Sequence, residues 1–229
     1  MPSTITGETN DGTCGTALGS WAGVRASAGS TVSDITATRD AAALKHTHFS
    51  RRGTHIITRT FFEFDTSSVS VAPTEATLNI RGHGSSLDVL LDFIVVKSEQ
   101  GDPLAAGDFN SFPTAAVTAL GNSDGSGAGT FAGISGLTYS AEVTSWSHNS
   151  VNEIDLNATA LHDIEVLDTF KVCLMEYDQD YLDIDGGSTL QLGMYFADVG
   201  DPASLLPSLV YEPGTAVAAD NATFFGANF

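Results

Sequence analysis

The chain has 229 residues, of which 42% are apolar and 16% charged, so it is long enough and apolar enough to bury a real core in one large domain or two small ones. Its net charge is −19, and no apolar run approaches the roughly 20 residues of a membrane helix, which argues against nucleic-acid binding and against a membrane span. Before Glu99 eight basic residues face nine acidic ones; from Glu99 onward only Lys171 stands against nineteen acids, a local sum of −18.

The first stretch, residues 1–39, reads as an N-terminal arm and lead-in strand rich in Gly, Ser and Thr, with Ser20–Arg25 forming a short strand anchored by Trp21. The Met1-Pro2-Ser3-Thr4 start shows no basic region followed by an apolar stretch, so no secretory signal is expected. Lys45 to Arg52 and His55 concentrate basic residues and half the histidines. If this run is a strand, His46 and His48 point the same way, as two zinc ligands would; otherwise it is a basic loop facing an acidic patch, such as the acidic half of a second copy.

Arg59 to Ile80 is the most patterned segment. Ile56, Thr58, Thr60, Phe62 and Phe64 alternate with Ile57, Arg59, Phe61, Glu63 and Asp65, which predicts a strand. Asp65-Thr66-Ser67-Ser68 can bond its own backbone and stop that strand, and Ala76, Leu78 and Ile80 mark a second strand after Pro73. Leu87 to Val96 is apolar on both faces, as in a strand covered on both sides. Residues 101–129 read as a long connection, a candidate contact surface with its base pinned by Phe109 and Phe112.

The second half returns to strands at 137–143, 151–156, 169–177, 189–197 and 207–211. One short helix is expected over 157–164 with Asn157 as its N-cap. This sum of short strands and turns predicts an all-β fold, an antiparallel two-sheet sandwich of jelly-roll type with one short helix, spanning residues 40–212. The C-terminal extension, residues 213–229, ends in Phe224, Phe225 and Phe229, which need a groove on the chain's own sandwich or on a neighbouring subunit.

Five carboxylates fall within ten residues at Glu176, Asp178, Asp180, Asp183 and Asp185. Calcium held by the four aspartates relieves their repulsion, and a hairpin with a solvated acidic face explains the same residues without metal. Cys14 and Cys173 are either a single bridge or two free buried thiols. No Gly-x-Ser-x-Gly elbow, phosphate loop or dinucleotide fingerprint occurs, so no enzymatic activity is expected.

The segment Arg-x-Phe-Phe-x-Phe-Asp-Thr-Ser-Ser, then Ala-Thr-Leu-x-Ile, with Pro-Ser-Leu-Val-Tyr near the end, resembles DNRLRE-type β-sandwich domains. These are similar to family-96 carbohydrate-binding modules and recur in structural proteins of tailed phages. The resemblance implies a virion protein: a capsid decoration, turret or tail- or fibre-associated sandwich at the particle surface. Its partners would then be a major capsid or tail protein and further copies of itself in a homo-oligomer such as a trimer, with Phe224, Phe225, Phe229, Arg51 and Arg52 as assembly contacts. The alternative it implies is a carbohydrate-binding module that grips polysaccharide or host glycan through Trp146, Tyr177 and Tyr181.

Overall fold

The computed structural model describes residues 1–34, 39–49, 53–84, 92–186, 189–197 and 202–215. The Phe-rich segment is its spine. Strand β5 (Thr54–Asp65) is buried along nearly its whole length, with Phe62 and Phe64 on one face and Ile57 and Phe61 on the other. Asp65 ends it by accepting hydrogen bonds from the Ser67 backbone N–H (3.0 Å) and hydroxyl (2.6 Å).

One edge of β5 carries β2 (Gly12–Leu18), and β3 (Thr31–Asp34) lies beyond it. The other edge is shared in tandem: β4 (Arg39–Phe49) pairs with residues 54–58, and β9 (Thr169–Glu176) pairs with residues 60–65. Strand β10 (Leu190–Tyr195) extends the sheet past β4, and β7 (Phe93–Lys97) extends it past β9. The smaller sheet runs β1 (Ser3–Thr6), β11 (Ser208–Glu212), β6 (Glu75–His83), β8 (Val151–Asp155). The end of β6 turns the corner between sheets, where Gly82 and His83 pair with β10. Every pairing is antiparallel, and the fold is an all-β sandwich.

The main core fills the space between the sheets. Phe62, Phe64, Phe93, Phe170 and Leu192 meet Ala76, Leu78, Ile80, Ile154 and Leu209 across it. At about 2 kcal/mol for each buried large apolar side chain, this is the principal stabilising layer. Helix α3 (Ala158–Val166) covers one part of it, and its cap is the expected one: the Asn157 side chain accepts from the N–H groups of Thr159 (3.0 Å) and Ala160 (3.2 Å).

The outer face of the larger sheet is not solvated. A second core, including Ile57, Phe61, Ile94, Val96 and Met175, is roofed by Trp21, Val24, Phe109, Phe112, Leu120, Phe131 and Tyr181. Helicity therefore exceeds the single helix expected. Ser20–Arg25 is no strand: it forms helix α1 (Trp21–Arg25), capped by the Ser20 hydroxyl accepting from the Gly23 N–H at 3.2 Å. The long connection also gains order, as a 3-10 turn at Ala106–Asn110 and helix α2 (Thr114–Leu120), and Phe109 and Phe112 are buried at its base. Residues 137–143 make only isolated bridges, Thr138 to Val96 and Val143 to Phe93. Of the apolar run at 87–96, residues 87–91 lie outside the described residues. In β7, Phe93 and Val95 enter the main core while Ile94 and Val96 enter the second.

Candidate functional site

Arg59 lies on β5 between Ile57 and Phe61 and points into the second core, where it is fully buried. A guanidinium there requires a complete set of partners. Asp180 supplies a fork: Nε donates to one carboxylate oxygen and Nη2 to the other, both at 2.6 Å. Nη1 donates to the Phe109 carbonyl and to Asn110 Oδ1, each at 2.6 Å, and the guanidinium carbon sits 4.1 Å from the centre of the Phe109 ring. Asp180 is carried by a π-helical turn, Tyr177–Tyr181, opened by Glu176. The Glu176 carboxyl accepts from the N–H groups of Asp178 (3.1 Å), Gln179 (2.5 Å) and Asp180 (2.9 Å).

A second buried cation joins from α1. Arg25 pairs with Asp183 at 2.8 Å and with Asp180 at 3.4 Å, and donates to the Ser123 hydroxyl at 2.7 Å and the Gly129 carbonyl at 3.0 Å. Asp183 has left-handed backbone (φ 60°). Its carboxylate also accepts from Trp21 Nε1 (2.6 Å), the Ser123 hydroxyl (2.8 Å) and the Gly129 N–H (3.1 Å), a set of contacts that holds this uncommon conformation. Two cations and two anions thus sum to zero inside an apolar layer. Burial by itself would raise the Asp180 pKa, but Arg59 and Arg25 outweigh it and leave it below its ordinary value. Asp183 ends low for the same kind of reason, burial being overcome by Ser123, Arg25 and Trp21. Burial lowers Arg25, and Asp180 and Asp183 oppose that shift. Chemically the network is a lock: it fastens α1, the 101–129 connection and the acidic run onto the sheet.

This changes the reading of the acidic run. Among the described residues, Asp178, Asp180, Asp183 and Asp185 do not gather into one oxygen cage. Asp180 and Asp183 are buried against arginines, which relieve the repulsion a calcium ion would have relieved, while Asp178 and Asp185 are exposed. The three aromatic residues also part company. Trp146 is 7% exposed and packs edge-on to Phe93 in the main core, whereas Tyr181 is 6% exposed in the second core. Tyr177 is half-buried and stacks on Tyr181 at 5.4 Å. Trp146 and the tyrosine pair therefore belong to opposite faces of the sheet and make no common platform.

Cys14 and Cys173 are free and buried, not bridged. Burial pushes the Cys14 thiol up to about 12 and raises Cys173 well above its ordinary value. The run containing His46 and His48 is strand β4, not a loop. His46 is fully buried with its ring edge-on to Trp21 at 5.5 Å, and His48 is half-buried. Arg51, Arg52, Phe224, Phe225 and Phe229 lie outside the described residues.

The arginines were the residues hardest to find by pattern. Arg59 carried one signal, a cation flanked by Ile57 and Phe61 on its strand face; Arg25 carried none. No helix among the described residues is long and apolar enough to cross a membrane. No protein-family model matches the sequence, and no curated protein matches it.

Proposed function

We propose that the protein is a structural component of a tailed virus particle, a surface sandwich of the capsid decoration, turret or tail-associated kind that acts by assembly rather than catalysis. The observation that carries this reading is where the cations lie. Arg25 and Arg59 are buried in the lock, Lys97 pairs with Asp163 at 2.9 Å, and Lys171 pairs with Glu63 at 3.5 Å. That withdraws four of the nine basic residues, and of the five that remain (9 − 4), Lys45, Arg51 and Arg52 fall within residues 45–52. Phe49, at the end of β4 beside them in sequence, is 48% exposed.

A basic run that flanks an exposed aromatic residue in sequence, on a body with 28 acidic residues, is complementary to another copy of itself. Two different patches of one chain can meet twice across a two-fold axis, or repeat head-to-tail and form a ring where the rotation closes. The resemblance carried by Arg59–Ile80 supports the same assignment, with a major capsid or tail protein beneath the oligomer. Mass spectrometry of particles purified from the source culture tests it. Peptides of this chain should co-purify with the particles at the copy number of a structural protein; their absence from intact particles would overturn the assignment.

A further inference from the structure

The register of the β4–β5 hairpin places His48 directly opposite His55. Their rings stack with centroids 4.1 Å apart. Asp185, which does not join the arginine lock, reaches this pair from the end of the acidic run. Its carboxylate oxygen lies 3.7 Å from His55 Nδ1. One ligand atom from each of the three residues falls within 4.8 Å of the other two, a grouping found only once among the described residues.

Two details distinguish this cluster from an ordinary ion pair. First, 3.7 Å is too long for a hydrogen bond, and His55 Nδ1 is buried with no hydrogen-bond partner although the residue is only 5% exposed. Ligands on one tetrahedral zinc ion stand about 3.3 Å apart, given zinc–nitrogen distances of about 2.0 Å. The His55–Asp185 spacing is close to that value. Second, the outer members have room to move: His48 is half-buried and Asp185 exposed, so the His48 ring can turn out of the stack and both can close on a common centre, while Trp21 walls His55 from behind at 5.5 Å.

We propose that His48, His55 and Asp185 form a binding site for a divalent metal ion of the zinc class, with an outward coordination position left for water or for a group from a partner. Two imidazoles and one carboxylate suit zinc, cobalt or nickel, whereas calcium demands six or more oxygens. The site does not depend on the assembly reading above.

The test uses full-length, tag-free protein cleared of metal by chelation. Titration with Co²⁺, followed by visible absorption, should saturate at one equivalent per chain; Zn²⁺ should displace the signal, and excess Ca²⁺ should not. His48→Ala and Asp185→Ala should each weaken binding about tenfold or more without changing the far-ultraviolet circular dichroism. Both substitutions are toward the surface, so the fold is retained. His162→Ala, on α3, should leave binding unchanged. The proposal is overturned if no saturable signal appears, if Ca²⁺ displaces Co²⁺, or if both ligand variants bind as tightly as the parent.

Discussion

Arg59 and Asp180, 121 residues apart in sequence, meet as a two-pronged ion pair with both contacts at 2.6 Å and both side chains fully buried. The pair joins the spine of the larger sheet to the acidic run, and its strength lies in having no solvent to substitute for either partner. Arg59→Ala strands Asp180 with Arg25 alone and should cost about 3 to 5 kcal/mol in urea unfolding. Arg59→Lys keeps the charge but loses the fork, so it too should destabilise. The double variant Arg59→Met, Asp180→Leu should cost less than the sum of the single changes. Additive losses would show that the two side chains do not act together.

Glu176 and His46 give opposite pH slopes. Burial raises the Glu176 carboxyl to about 8, against the N–H groups of Asp180 and Gln179. Between its ordinary value of 4.5 and that raised value, the folded protein keeps a proton that the unfolded chain has released, so stability falls as pH rises. Burial lowers His46 to about 4 from 6.5, so across that interval the unfolded chain gains a proton the folded one lacks, and stability falls as pH drops. The two slopes oppose one another below pH 6.5, and above it only the Glu176 contribution of the pair remains. The urea midpoint should therefore decline from pH 6.5 to 8 in the parent, and Glu176→Gln should remove most of that decline. A decline of equal size in the variant would assign it to other groups.

The two cysteines give a simple chemical readout. Buried and with raised pKa values, Cys14 and Cys173 should both resist a disulfide-exchange reagent in the native state and both react once the chain is unfolded. A count of zero thiols after unfolding without reductant would mean that a bridge forms.

Trp146 is a core residue in this structure. Trp146→Ala should lower stability by about 3 to 5 kcal/mol through the cavity it leaves beside Phe93. Tyr177→Ala, at a half-buried ring, should cost much less. A folded, fully stable Trp146→Ala protein that loses polysaccharide binding would instead restore the carbohydrate reading.

Local pattern revealed the spine well. The alternation from Ile56 to Asp65, the Asp65–Ser67 stop and the Asn157 cap all depend on neighbours within a few residues, and each appears in the structure. Ser20–Arg25 misled because six residues are too few to separate periods: Trp21 and Val24 stand three apart, the spacing of one helical turn, and only the Ser20 cap tips the balance. The lock was hidden for a different reason. Its members come from α1, β5, the long connection and the acidic run, so their distances in sequence exceed any local motif. The run of aspartates looked like one metal site because its charges are adjacent in the chain; folding sends Asp180 and Asp183 inward and Asp185 toward His55.

The assembly claim depends on the basic connection between β4 and β5 meeting the acidic body of a second copy. Sedimentation velocity on the parent and on Arg51→Glu, Arg52→Glu, at low and at molar salt, tests it most directly. The parent should sediment as a closed oligomer at low salt and dissociate as salt screens the contact, while the double variant should be monomeric throughout. A parent that is monomeric at low salt, or a double variant that sediments as the parent does, would contradict the account.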